Sequence, residues 1–127
     1  MKKLIPILVI IMLLTACGSE PNNTYRQITM DEAIVMMEEE KDYIILDVRT
    51  IDEYKEKHIP DAINVPNEAI KAKEPKELPD KDQLILVYCR SGNRSKQASQ
   101  KLADMGYTNI VEFGGINDWP GETVSGE

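Results

Sequence analysis

Two short and almost uninterrupted apolar runs constrain this chain most: Ile44-Ile45-Leu46 with Val48 just past Asp47, and Leu84-Ile85-Leu86-Val87-Tyr88. Each is shorter than an ordinary helix, and neither alternates apolar with polar residues as a strand with one wet face does. Such runs are strands buried on both faces, which occur in parallel sheets covered by helices on either side. The intervening sequence supplies those helices. Thr29 followed by Glu32 is a capping box, and Met30, Ala33, Ile34 and Met37 then recur at helical spacing, so an amphipathic helix is predicted to about Glu40 with its methionines as core filler.

Further along, Ile51 to Lys57 reads as helix, His58-Ile59-Pro60-Asp61 as a turn, and Ala62 to Val65 as a short strand before Pro66. Lys71 to Asp82, rich in Lys, Glu and Pro, is expected to be a solvated connection with at most one helical turn. Ser95 to Met105 places Ala98, Leu102 and Met105 on one helical face and meets Gly106 as a stop; Asn109 to Phe113 is read as the last strand. The alternation predicts an α/β domain with a mainly parallel sheet and right-handed crossovers. At 127 residues, 42% of them hydrophobic, the chain has material for a single core.

The first sixteen residues stand apart. Lys2 and Lys3 precede the apolar stretch Leu4 to Leu14, which as helix is about 16 Å long, roughly half a bilayer core. That is the pattern of a secretory leader, to be set aside from the fold. Leu14 is too bulky for the outer small-residue position of an ordinary cut after Ala16. Leu14-Thr15-Ala16-Cys17 instead resembles a bacterial lipobox, in which the Cys17 thiol takes a diacylglyceryl group; the plainer alternative is an ordinary leader with an incidental thiol. Two acyl chains would hold a domain stably at a membrane. Residues 17 to 24 then read as a lipidated, polar tether, and the domain as residues 25 to 127, outside the cytoplasm.

Charge and composition exclude several classes. With 22 acidic against 15 basic residues, net −7, the chain is unsuited to nucleic acid. A single histidine, His58, rules out a His-rich metal cage, and no nucleotide or metal motif is present, so neither metal nor cofactor is expected. Two cysteines do not make a disulfide scaffold.

The chemistry is expected at Cys89-Arg90-Ser91-Gly92-Asn93-Arg94-Ser95, which joins a buried strand to a helix start. Ligands of open parallel sheets bind beyond the carboxyl ends of the strands, and Asp47, Arg49 and Cys89 all fall at that edge. A thiol there faces the positive end of a helix and free backbone N–H groups, which favour its anion. Arg90, Arg94 and Lys96 add positive charge, with no acidic residue from Cys89 to Lys96. A thiolate nucleophile is expected from such surroundings, whereas the bland alternative makes Cys89 a small core hydrophobe. Gly92 permits backbone angles that turn the loop amides inward as an anion cradle.

Four blocks, in order, resemble the rhodanese family: Leu46-Asp47-Val48-Arg49 with Glu53-Tyr54; His58-Ile59-Pro60-Asp61-Ala62-Ile63-Asn64-Val65-Pro66; Cys89 to Ser95; and Gly114-Gly115-Ile116 with Trp119. The resemblance implies a three-layer domain with a five-stranded parallel sheet flanked by helices. It also implies a catalytic Cys89 that carries sulfane sulfur as a persulfide, with Arg90, Ser91, Gly92, Asn93, Arg94 and Ser95 forming the substrate-binding loop. The chain departs at Asp61, where the family usually has Gly. The four residues between Cys89 and Arg94 match the sulfurtransferase loop, whereas related phosphatases and arsenate reductases use a loop one residue longer.

On that basis the expected reaction is sulfur transfer from a small anionic donor such as thiosulfate to a thiol or cyanide-like acceptor by a monomeric domain. The loop amides and Arg94 would stabilise the charged persulfide. Arg90 is read as steering the donor, against the alternative of a solvated side chain. Asp47 and Arg49 are read as a structural ion pair, Trp119 as packing, and His58 as a turn residue in preference to a Cys–His partner. Two rival functions remain open: a sulfane-sulfur carrier or thiol redox module, and, further off, a phosphatase or arsenate reductase.

Overall fold

The computed structural model describes residues 24–126, so the predicted leader, the proposed lipid site at Cys17 and all but the last residue of the tether lie outside the described residues. The elements run β1 (Arg26–Gln27), α1 (Met30–Glu39), β2 (Tyr43–Asp47), α2 (Ile51–Glu56), β3 (Ile63–Asn64), β4 (Leu84–Cys89), α3 (Asn93–Asp104) and β5 (Ile110–Gly115). The five strands form one sheet in the order β1-β5-β4-β2-β3, every pairing parallel.

The capping box at Thr29 is present in both directions, and a second, at Thr50 with Glu53, starts α2 in the same way. The two apolar runs are the sheet's centre: Tyr43–Asp47 lies in register against Leu84–Tyr88. Strand periodicity then divides the core. Leu46, Val48, Ile85, Val87 and Cys89 face Ala98 and Leu102 of α3, while Ile45, Leu86, Tyr88, Val111 and Phe113 face Ala33 of α1. Both faces are covered, which explains why neither run alternates.

Several boundaries differ from the sequence reading. Arg26–Gln27, a two-residue edge strand with both residues exposed, has no apolar pattern to announce it; it is fixed by pairing with Val111 and Glu112. The last strand runs on to Gly115. α3 begins at Asn93 instead of Ser95, because Gly92 at φ 115° turns the chain into the helix at once, so Asn93 and Arg94 belong to its first turn. The Lys71–Asp82 connection contains no helix but is not wholly solvated: Leu78 is buried, and its carbonyl accepts from the Tyr107 hydroxyl at 2.5 Å. Asp61 sits at φ 73°, the left-handed region that favours glycine.

Candidate active site at the carboxyl edge of the sheet

β4 ends at Cys89 in the middle of the sheet, and the chain turns through Arg90, Ser91 and Gly92 into α3. Cys89 is 1% exposed and is a free thiol. The Gly92 N–H donates to Cys89 Sγ at 3.0 Å, and Ser95 Oγ, in the first turn of α3, lies 3.4 Å from the same sulfur. The sulfur thus stands at the positive end of a twelve-residue helix with a backbone donor aimed at it. Arg90, Ser91 and Asn93 are exposed at the mouth. The Arg90 carbonyl is held from the other side by the Asn117 N–H at 3.2 Å.

Gly115, paired with Cys89 across the sheet, supports the loop from below. A Cβ there would stand 2.0 Å from the Arg90 carbonyl oxygen and 2.6 Å from the Ser91 nitrogen, so only glycine allows this approach.

Arg94 points across to α2. Its Nη1 and Nη2 bind Glu53 Oε1 and Oε2 at 2.8 and 3.2 Å, and Glu53 Oε1 also receives the Thr50 N–H at 2.9 Å. One carboxylate therefore caps α2 and clamps the start of α3. Arg94, with the Thr50 donors, holds the Glu53 carboxyl down from 4.5 to about 2 against a partial opposing effect of burial. A lowered folded-state value stabilises above the unfolded one and is lost as pH falls through the folded one. Glu53→Gln is accordingly expected to flatten the loss of stability between pH 4.5 and 2, read as urea midpoints across that window; an acid limb unchanged by the substitution would refute the clamp.

Asp47 and Arg49 reach the same sheet edge as Cys89, but Asp47 is on the other face. Arg49 Nε lies 3.0 Å from Asp47 Oδ1 and its Nη2 2.7 Å from Oδ2, while the Tyr88 hydroxyl donates to Oδ2 at 2.6 Å. Arg49 Nη2 also donates to the Lys57 carbonyl at 2.6 Å. Burial, with the Asp47 charge alongside, pushes the Tyr88 phenol far above its usual range. The pair is a brace between β2, β4 and the turn after α2. His58 is likewise occupied away from the thiol: its ring stacks on Tyr54 at 3.7 Å, Nδ1 lies 2.8 Å from the Tyr54 carbonyl, and its backbone bridges Val124. Trp119 is half-buried against the α1-side core and donates Nε1–H to the Glu122 carbonyl at 2.9 Å.

Glu112 was missed by reading the loop alone. It is 2% exposed on β5, and its Oε2 accepts from Ser95 Oγ at 2.5 Å and from the Gly114 N–H at 3.0 Å. The stretch from Cys89 to Lys96 contains no acid, but the neighbouring strand brings a carboxylate to within one hydroxyl of the sulfur. The signal was present in Ile110-Val111-Glu112-Phe113, where alternation puts Glu112 on the inward face shared with Ile110.

A cleft of about 250 Å³ opens beside the loop, lined by Arg49, Glu53, Glu56, Lys57, Arg90 and Asn117 among others. A larger one, about 340 Å³, lies at the opposite edge of the sheet near Arg26, Asp42 and Asp80, away from the thiol. Among the described residues no group of His, Cys, Asp and Glu is arranged to hold a metal ion.

The comparisons with known proteins agree with this geometry. Residues 29–122 match the rhodanese-like domain model. The chain is 38% identical over 73 residues to thiosulfate sulfurtransferase PspE of Escherichia coli strain K12, covering 58% of this chain and 70% of that protein. It is 34% identical over 96 residues to thiosulfate sulfurtransferase GlpE of Coxiella burnetii, covering 75% and 87% respectively. Among solved structures it is similar to a rhodanese with anions from E. coli, at TM-score 0.61 and 36% identity, covering 66% of this chain and 99% of that one. The extent of the family match, together with the parallel sheet and its cysteine-to-helix loop, shows that this chain belongs to the rhodanese-like family.

Proposed function

We propose that this protein moves sulfane sulfur from a small anionic donor such as thiosulfate to a thiol or cyanide-like acceptor, through a persulfide on Cys89. The observation that carries this reading is the placement of Cys89 Sγ, buried at the head of α3 and 3.0 Å from the Gly92 N–H. A sulfur so held is an activated nucleophile that needs no separate acid for its leaving group. The Cys89 thiolate attacks the outer sulfur of thiosulfate, the donor's S–S bond breaks, and its electron pair leaves with sulfite. An acceptor nucleophile then attacks the outer sulfur of the persulfide and the Cys89 thiolate departs. The Gly92 N–H and the positive end of α3 offset the charge of the persulfide. Arg90 at the mouth attracts an anionic donor that the net acidity of the chain would repel.

The test is a thiosulfate-to-cyanide assay on the full chain, with Cys89→Ser as the control. Turnover is expected in the parent and is expected to vanish in the variant; a parent no faster than the variant ends the proposal. Stoichiometric loading of one sulfur without repeated turnover, read by mass spectrometry, would point to a carrier, and cysteine-dependent hydrolysis of an aryl phosphate to the phosphatase alternative. The same proposal places the protein at a membrane outside the cytoplasm, held by lipid on Cys17. Cys17→Ala should then move it from the membrane to the soluble fraction.

A further inference from the structure

Ser95 Oγ stands within hydrogen-bonding distance of four groups: Glu112 Oε2 at 2.5 Å, the Gly92 carbonyl at 3.0 Å, the Gly114 carbonyl at 3.3 Å and Cys89 Sγ at 3.4 Å. A hydroxyl has one proton to give. Two of its neighbours are carbonyl oxygens and the nearest is a buried carboxylate, all acceptors when Glu112 is ionised. Of the four groups, then, only the Cys89 S–H has a proton to offer Ser95. With the Ser95 proton on Glu112, the chain of bonds runs from thiol to hydroxyl to carboxylate. Ser95 is fully buried and Glu112 is 2% exposed, so the polarity of this chain is set inside the protein, with little water to mask it.

A thiolate at Cys89 reverses the requirement, because its sulfur needs Ser95 as a donor. Ser95 is free to donate there only if Glu112 no longer needs its proton. We propose that Glu112 is the proton store of Cys89, a positioning residue that acts through Ser95 and keeps one negative charge in the buried network. In the resting state the charge is on Glu112 and Cys89 is a thiol. In the activated state the Cys89 S–H bond breaks and its proton passes to Ser95 Oγ as the Ser95 proton passes to Glu112 Oε2. The products are a thiolate, an intact hydroxyl and a neutral carboxylic acid; no proton is exchanged with solvent.

Other charged groups face the network, and the Arg94 charge also acts on Cys89. From α3, Arg94 is held by Glu53 of α2, and Lys96 Nζ is 3.3 Å from the Gly92 carbonyl. Arg90 is exposed on the loop, and on the β1 side the Tyr25 phenol is pushed up by its own burial and by Glu112. The one buried carboxylate in this network is what a charge on the sulfur has to be reconciled with, since two like charges one hydroxyl apart do not coexist cheaply.

The persulfide half of the test rests on the sulfur-transfer reading, and the thiol half does not. Infrared spectra of the full-length protein report both. At rest, the S–H stretch that Cys89→Ser removes is expected to move to higher frequency in Glu112→Gln and in Ser95→Ala, because the acceptor of the S–H bond is weakened or gone. On loading with thiosulfate, confirmed by a one-sulfur gain in mass, the C=O stretch of a neutral carboxylic acid should appear in the parent and be absent in both variants. An S–H band that neither variant shifts overturns the network whether or not sulfur loads, and so does the absence of any Cys89 S–H band at rest. A loaded parent without the acid band, or with one that persists in Glu112→Gln, overturns the proton store. If Glu112→Gln does not fold, Ser95→Ala answers both questions, an unshifted S–H band or a persisting acid band overturning the proposal.

Discussion

Gly115→Ala is expected to lower the rate of sulfur transfer on the order of a hundredfold, the penalty of displacing a reacting group by about an ångström. The added methyl would stand 2.0 Å from the Arg90 carbonyl oxygen and 2.3 Å from its carbon. Those are backbone atoms of the residue next to Cys89, so they cannot step aside as the end of a flexible side chain does. Either β5 moves away from β4, or the loop lifts and withdraws the Gly92 N–H from the sulfur. Inserting a methyl into a packed site also costs about 1–3 kcal/mol, so the melting temperature should fall with the rate. Gly114→Ala adds its methyl in open space but at φ 101°, and is expected to lose stability through backbone strain without the direct collision. Turnover and thermal melting of both variants check this. A Gly115 variant as fast and as stable as the parent would contradict the contact.

Arg49→Ala is expected to cost about 3–5 kcal/mol of stability, the range for stripping one partner from a buried ion pair. Against a total of about 5–15 kcal/mol for an ordinary domain, that is roughly a fifth of the stability or more. Asp47 is fully buried and Arg49 is 4% exposed, so water does not replace the lost guanidinium, and the Lys57 carbonyl loses its donor as well. The carboxylate would keep the Tyr88 hydroxyl and the Arg49 backbone N–H, at 2.6 and 2.9 Å, but would have no countercharge. Asp47→Asn keeps the shape and neutralises only one partner, leaving the guanidinium buried, so it too is expected to destabilise. Because Asp47 faces the Tyr88 side of the sheet and Cys89 the α3 side, the folded fraction of Asp47→Asn should still react at Cys89. Urea unfolding gives the first quantity and alkylation of Cys89 in the native state the second. A loss under 1 kcal/mol would place the pair among surface salt bridges, which are worth that little.

The parts of the fold legible in the sequence were those where one physical rule dominates. Continuous apolar runs imply burial on both faces, and β2 and β4 proved to be adjacent central strands. A Thr with Glu three residues on implies a helix start, and Thr29 behaves so. Parts set by partners distant in the chain were not legible. Arg26–Gln27 is a strand only because β5 offers an edge, and nothing in its own composition says so. Arg94 reads as ordering the loop, but its partner Glu53, 41 positions away, is not indicated by the loop itself. Glu112 was hidden for the opposite reason: within an apolar strand, an acid reads as an exception until Ser95 is seen beside it. Asp61 shows the remaining case, a family glycine position where the backbone keeps its left-handed angle at φ 73° although the residue has changed. Asp tolerates that region better than most side chains, so the turn survives the substitution.

Several supports of the cysteine loop come from later in the chain than the loop itself. Gly115 fits beneath Arg90 and Ser91, Glu112 engages Ser95, and even β1 waits for β5 before it has anything to pair with. A ribosome delivers these parts in order, with the amino-terminal portion first. A growing chain that has already exposed Cys89 and α3 therefore carries the thiol without the Gly115 and Glu112 contacts that fix its loop. The loop gains these supports only when β5 docks against β4 and joins contacts that are remote in sequence, the slow kind to form. Until that docking, Cys89, 1% exposed in the finished fold, lacks the cover of β5, so the timing of sheet closure bears on how much of the protein matures with its cysteine intact.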